Sequence, residues 1–163
     1  MTTYLSDTDL RALAFFLADH GVVENGKAYI NGGFWNQLGF PSFPVIHSFA
    51  IVAVLEVPWC AYHQKHTFGV WFQDADNKKM PGRFEGEFQV RAAPDMRVGD
   101  PTVMPIAAVV NNFVFQRPGD YTCVLEVDGT EINRWRFRAV QAMSPLLPAP
   151  EKLSPAPLEP PSE

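Results

Sequence analysis

The sequence predicts an all-β fold: a single antiparallel β-sandwich, immunoglobulin-like in outline, over residues 1–143, then a disordered proline-rich tail over residues 144–163. Three observations carry that prediction. Residues 117–130 read as a closing hairpin, because Pro118-Gly119 and Asp128-Gly129 are turn dipeptides and Tyr121, Cys123, Leu125 and Val127 alternate between them at period two. Residues 46–57 form a long strand that is apolar on both faces, as a central strand is. Hydrophobic residues make up 47% of the chain and aromatics 13%, enough for an aromatic core between two sheets.

Taken in order, Ser6-Asp7-Thr8-Asp9 has the composition of a helix cap. The continuous apolar run over residues 10–18 fits either a short helix or a buried first strand, since period alone does not separate them. Lys27-Ala28-Tyr29-Ile30 is a short strand leading into a turn or bulge at Gly32-Gly33. Phe34-Trp35 then opens a loop that contains Pro41 and Pro44. Its aromatics, Trp35, Phe40 and Phe43, either fold back over the open end of the sandwich or form an exposed apolar patch.

In the long strand, Phe49, Ile51, Ala53, Leu55 and Val57 share one face, Val52 and Val54 lie on the other, and Pro58 ends it. Residues 67–73 form the next strand, with Trp71 placed in the core, and run into the turn Asp74-Ala75-Asp76-Asn77-Lys78. Over residues 84–90, Phe84, Phe88 and Val90 face in while Glu85, Glu87 and Gln89 face out. That pattern suits a strand near an edge or on a solvated face. A Pro/Gly-rich connection over residues 93–101 leads to strands at 104–110 and 113–115, which precede the closing hairpin. From Ser144 onward seven prolines crowd the chain, a composition that cannot bury enough apolar surface to offset ordering entropy. Pro145-x-x-Pro148 and Pro157-x-x-Pro160 have the spacing of proline-recognition ligands.

Charge and patterning exclude several functions. A net charge of -5 and a pI near 5.3 argue against a nucleic-acid binder. No stretch approaches the ~18 apolar residues of a membrane span, and the first nine residues lack the basic region of a secretory signal. The expectation is therefore a cytoplasmic protein with no membrane partner, in which Cys60 and Cys123 are reduced and structural. The order Cys60, Trp71, Tyr121-x-Cys123 mimics the cysteine framework of immunoglobulin domains. Cys60, directly after Pro58-Trp59, lacks the flanking alternation of a core strand.

The chemistry-bearing residues are sparse. His63-x-x-His66 is the most metal-like spacing, and a third ligand would have to come from Asp19 or Asp74. The run from Asp74 also has carboxylates at calcium-loop positions, but Lys78 stands where the fifth ligand belongs and Lys79 where the turn needs glycine. Ser42, Ser48, Cys60 and Cys123 offer nucleophiles and His20, His47, His63 and His66 offer bases, none in a nucleophile elbow. Gly32-Gly33 precedes Phe34-Trp35 and no phosphate-cradling helix. These residues assign no catalytic group, no metal and no cofactor. Arg134, Arg136 and Arg138 line one face of the last strand, which reads as a solvated, cross-strand-paired face or as an anion site.

Several segments taken together resemble a family of small, uncharacterised bacterial proteins known as a domain of unknown function. They are Leu17-Ala18-Asp19-His20, Gly26-Lys27-Ala28-Tyr29-Ile30-Asn31-Gly32-Gly33-Phe34-Trp35, Glu56-Val57-Pro58-Trp59 with His66-Thr67, Asp74-Ala75-Asp76, and Pro118-Gly119-x-Tyr121 with Asp128-Gly129. The resemblance covers residues 10–140 and leaves the proline tail outside. It implies a β-sandwich and tips residues 13–18 toward a strand. It transfers no catalytic residue, and it points to Asp19 and His66 as the polar positions beside the most family-like segments.

The functional expectation is a non-enzymatic binding or assembly module with a protein partner. It would act through a sheet edge, through Phe34, Trp35, Phe40 and Phe43, or through the face of Arg134, Arg136 and Arg138. Two alternatives stand beside it. One is a small metal-dependent or hydrolytic enzyme using His63 and His66 with Asp19 or Asp74. The other is a carbohydrate-binding sandwich in which Trp35, Trp59 and Trp71 supply stacking faces.

Overall fold

Alternation at period two decides the architecture, and the computed structural model describes residues 10–143 of it. The proline-rich segment 144–163, with its two recognition-like spacings, and residues 1–9 lie outside the described residues. The strands are β1 (Arg11–Glu24), β2 (Lys27–Gly33), β3 (Gln37–Phe40), β4 (Val45–Val57), β5 (His66–Gln73), β6 (Lys79–Phe88), β7 (Thr102–Phe115), β8 (Gly119–Val127) and β9 (Thr130–Gln141). A single 3-10 turn, Trp59–Ala61, follows Pro58. None of the described residues forms a helix long and apolar enough to cross a membrane.

The strands form a four-stranded sheet in the order β2-β1-β4-β7 and a five-stranded sheet in the order β3-β9-β8-β5-β6. All neighbours are antiparallel except β3 and β9, which run parallel. The sheets enclose one core in which Leu17, Phe49, Ile51 and Leu55 from one side meet Phe72, Tyr121, Cys123, Leu125 and Phe137 from the other. Burying aromatics of this size contributes roughly 1.5–3 kcal/mol each, which is why the sandwich needs no cross-link. Neither cysteine is joined in a disulfide; Cys123 is buried and Cys60 exposed. Burial pushes the Cys123 thiol well above its ordinary pKa.

The apolar run that fitted helix or strand is the first half of β1. Phe15 and Leu17 enter the core, whereas Phe16 and Ala18 face outward and are buried by another route. Pairing of β1 with β4 ends at Ala18, where pairing with β2 begins. Beyond that point β1 crosses the outer face of its own sheet. A Cβ placed on Gly21 would lie 3.2 Å from Val52 Cγ2, 3.5 Å from Ala50 Cβ and 3.7 Å from Ala107 Cβ. The β1–β2 hairpin thus covers Val52 and Ala50, both fully buried, and glycine is what lets its backbone come so close.

Four expectations change in detail. Trp71 is not in the core: Val70 and Phe72 point inward, and Trp71 lies half-buried on the outer face with its Nε1 donating to Glu126 Oε1 at 2.9 Å. Lys79 covers the Trp71 ring, with Nζ 4.6 Å from its centre. The strand expected at 84–90 is β6, shifted toward Lys79, and it is an edge strand as its exposed glutamates suggested. The two short strands at 104–110 and 113–115 are one strand, β7, with an irregularity opposite Ser48, where Asn112 has φ 56°. Inside the expected aromatic loop, β3 forms a ladder of four residues with β9.

The closing hairpin is as the turn dipeptides require. Asp128 and Gly129 have φ of 49° and 78°, matching a turn with both central residues left-handed. The Tyr121 hydroxyl donates to the Arg117 carbonyl at 2.7 Å, tying the start of β8 to the connection before it.

Candidate functional site

Outward residues of β8 and β9 build the first candidate. Because Tyr121, Cys123, Phe137 and Ala139 are committed to the core, Asp120, Thr122, Arg134, Arg136 and Arg138 must stand on the outer face. They line a cleft of about 670 Å³, with Asn36 and Gln37 at one side and Ala75 and Asn77 of the β5–β6 turn at the other. The arginine row foreseen on the last strand is therefore one wall of a concave surface.

Its three guanidinium groups are not equivalent. Arg138 donates to Asp120 across the strand pair, Nε to Oδ1 at 2.6 Å. Arg134 is gripped by both carboxylate oxygens of Glu131, with Nη2 2.7 Å from Oε2. Each ion pair raises the arginine's pKa and lowers that of its carboxylate, chiefly through the side-chain hydrogen bond. Arg136, between them and opposite Thr122, is exposed and has no carboxylate partner among the described residues. Nearby, Arg117 pairs with Asp76, and Asp74 accepts from the Asp76 and Lys78 amides at 2.9 Å. Those amide bonds, that of Lys78 first, hold the Asp74 carboxyl below its ordinary pKa.

A second pocket, of about 590 Å³, lies where β1 begins, between Leu10, Ala12 and Cys60 on one side and Val127, Thr130 and Ile132 on the other. His66 stands in its wall, 6% exposed. Its Nδ1 is 2.7 Å from Asp128 Oδ2 and its Nε2 is 3.1 Å from the Ala61 carbonyl oxygen. Both ring nitrogens lie within hydrogen-bond distance of protein oxygens, so neither is turned toward an incoming ligand or metal. Asp128 also accepts from the Thr67 amide at 2.9 Å. Burial raises the Asp128 pKa, but the His66 and Thr67 hydrogen bonds outweigh it and leave the carboxyl below its ordinary value. The arrangement ties the start of β5 to the β8–β9 turn.

The residues of the enzymatic alternative are held apart. His63 sits in a loop with φ 64°, its carbonyl accepting from Gln89 Nε2 and its amide donating to the Val90 carbonyl. Asp19 packs against Gly32, and its charge acts on His47. Asp74 caps its own turn. Among the described residues, no group of three or more His, Cys, Asp or Glu side chains could hold a metal ion.

The aromatic loop divides. Phe40 is buried, Phe43 stands edge-on to it at 5.8 Å, and Trp35 packs edge-on against Phe49 and Phe137. Phe34 alone of the four is exposed, at 64%, with one ring face stacked on Phe16 at 3.8 Å. The tryptophans of the carbohydrate alternative stand in three separate settings: Trp35 against the main core, Trp59 against Tyr62, and Trp71 on the outer face of the five-stranded sheet.

Asn36, Gln37, Asn77 and Thr122 also line the cleft, and residue type alone does not single them out. Thr122 was legible, since it shares the outward phase of Asp120 in the hairpin. Asn36 and Gln37 were not, because they reach the cleft through the parallel β3–β9 pairing, which no local pattern announces.

No curated protein matches the chain in sequence. Among solved structures, the β-glucosidase from Listeria innocua is 8% identical, with a TM-score of 0.40, 80% of this chain covered and 16% of the glucosidase chain. The alkylpurine DNA glycosylase AlkC from Pseudomonas fluorescens, solved bound to DNA with an abasic-site analogue, is 11% identical with a TM-score of 0.36 and coverages of 78% and 30%. This chain spans less than a third of either protein, and likeness at this level says nothing of activity. The sequence match is of a different order: the model of the family of unknown function DUF6941 matches residues 13–140, nearly the whole sandwich, and the chain belongs to that family.

Proposed function

We propose that the chain is a non-enzymatic binding module that takes a carboxylate-bearing segment of a partner protein into the arginine cleft of β9. The observation that carries this reading is Arg136, exposed and without a carboxylate partner among the described residues, in the middle of a polar cleft. Asp120 and Glu131 hold the neighbouring guanidinium groups in place, so a ligand meets donors already oriented. A carboxylate matches the planar fork of an arginine, and Asn36, Gln37, Asn77 and Thr122 supply donors and acceptors for the backbone around it. The overall charge of -5 favours this local use of arginine over a general polyanion surface.

The same reading takes the sandwich as immunoglobulin-like in outline and the compartment as cytoplasmic. The Tyr121 corner supports the first, and two cysteines that form no disulfide with each other support the second. The test is calorimetric titration with a hexaglutamate peptide and a hexaglutamine control. Saturable binding of the acidic peptide, weakened about tenfold or more by Arg136→Ala and by added salt, is the expected result. Equal binding of both peptides, or no effect of Arg136→Ala, would sink it.

A further inference from the structure

Positive φ angles fall on six non-glycine positions among the described residues: Asn25, Asn77, Asn112, Asp128, His63 and Phe34. Asparagine, aspartate and histidine are the types that tolerate the left-handed region, and a bulky aromatic is not. Phe34, at φ 66°, is the exception. Turning the chain from β2 toward β3 does not require that ring. Glycine makes such a turn with less strain, and Gly32, at φ 60°, does so two residues earlier.

The strained backbone holds the ring in a defined place. The Phe34 amide donates to the Leu17 carbonyl at 3.0 Å, and one ring face lies on Phe16, with centroids 3.8 Å apart and planes 17° from parallel. Trp135 stands edge-on to it at 6.3 Å. Gly33 leaves room for the stack, because a Cβ there would lie 3.1 Å from both Phe16 Cε2 and Ile30 Cγ2. Covering Phe16 uses one face of the Phe34 ring, and the residue is still 64% exposed.

The same segment joins this ring to the arginine cleft. Asn36, which lines the cleft, is two residues on, and its carbonyl accepts from the Arg138 amide at 2.8 Å. Two residues span at most about 7 Å of chain. On β9, the neighbour of Phe34 is Trp135, and the residue after Trp135 is Arg136. Successive side chains of a strand point to opposite sides. An open aromatic surface and a guanidinium without a carboxylate partner among the described residues thus flank the same short stretch of β9.

We propose that the partner segment taken into the cleft carries an aromatic residue next to its carboxylate, and that this residue packs on Phe34. The inference rests on the cleft reading above and adds its specificity. Phe16 already stacks on one face of Phe34, and a second flat ring extends that stack. The ring is held in place before the ligand arrives, so little ordering is lost on contact. A purely acidic segment would satisfy Arg136 and leave the aromatic surface wet. The two groups together therefore select a mixed segment over a polyanion, in keeping with the chain's own charge of -5.

Calorimetric titration of the full-length chain with two peptides tests it: hexaglutamate, and the same peptide with tryptophan at its third position. The mixed peptide carries one charge fewer, so any gain belongs to its ring. It should bind about two- to tenfold more tightly than hexaglutamate. Phe34→Ala should erase that gain and leave hexaglutamate binding as it was, whereas Arg136→Ala should weaken both. In the wild type, the Phe34 ring protons should shift on titration with the mixed peptide and not with hexaglutamate. Equal affinities for the two peptides, or a gain that survives Phe34→Ala, overturns the inference, and Arg136-dependent binding of hexaglutamate then leaves the cleft standing. If neither peptide binds, or Arg136→Ala changes nothing, the cleft reading falls and this one with it. Should the alanine variant fail to fold, Phe34→Leu keeps Phe16 covered and repeats the test, and the wild-type shifts need no variant.

Discussion

Val52 and Val124 are both fully buried valines that point away from the core, one on each sheet, and they are covered in different ways. Over Val52 lies backbone, that of Gly21 in the β1–β2 hairpin, in contact with Ala50 and Ala107 as well. Beside Val124 stand Trp71 and Arg134, long side chains on the neighbouring strands. Backbone cover demands small, apolar residues underneath and leaves no room for water or ligand. Side-chain cover keeps an apolar floor while its charged tips remain in solvent, as the Arg83 pairs with Glu85 and Glu126 and the Lys79–Trp71 contact illustrate. The ligand surface proposed above belongs to the second kind of face because only that kind can rearrange at low cost.

The contrast can be broken most severely at Val52. An aspartate there would be a buried charge without a partner, and Val52→Asp should lower stability by about 4 kcal/mol or abolish cooperative unfolding in urea. Thr122→Asp, on the outer face of the other sheet, should shift the midpoint far less. Next in size is Gly21→Val, which drives new atoms into the Val52 contact and should cost roughly 1–3 kcal/mol by overpacking.

A smaller effect joins the hairpin to the core. Burial lowers the His47 pKa from 6.5, and the charge of Asp19 on the hairpin offsets part of that. The unfolded chain then binds a proton more readily than the native one between pH 6.5 and the lower folded value. Stability should therefore fall as pH drops through that window. His47→Phe should remove this part of the melting-temperature profile, and Asp19→Asn should steepen it. The smallest effect is expected at the surface: Glu131→Ala releases Arg134 and should leave the melting temperature unchanged within error, as exposed pairs do.

Much of the frame was legible because β8 and β4 are patterned by their own residues. Tyr121, Cys123, Leu125 and Val127 enter the core as their spacing requires, and Phe49, Ile51 and Leu55 do likewise. Sequence alone does not place Trp71, because Val70, Trp71 and Phe72 are apolar in both phases; Lys79 from the next strand and Glu126, 55 residues on, draw the indole outward. In the aromatic loop, residue type alone does not tell a core plug from a surface: Phe49 and Phe137, distant in sequence, hold Trp35, while Phe34 stays exposed. Of the candidate site, the arginine row was readable from alternation alone. The ion pairs that distinguish Arg136 from Arg134 and Arg138 were not, since Asp120 comes from another strand and Glu131 bends back along its own. His66 stood out by type, yet its partner Asp128 read as a turn residue, and its second function follows from where the turn lands.

The parallel ladder of β3 and β9 also sets when the domain can be finished. Gln37 pairs at Arg138 and Phe40 at Gln141, Trp35 receives the Trp135 indole, and the Pro41 carbonyl receives Gln141, the last two across 100 residues of sequence. Closing a loop of that length is slow, and its entropy is lost before any contact compensates. During synthesis a chain that has not yet released β9 leaves β3 with nothing to pair with and Trp35 without its cap. These contacts can form only after Gln141 has been made, so the β3–β9 ladder closes late, after the local pairings of β1 with β2 and β4.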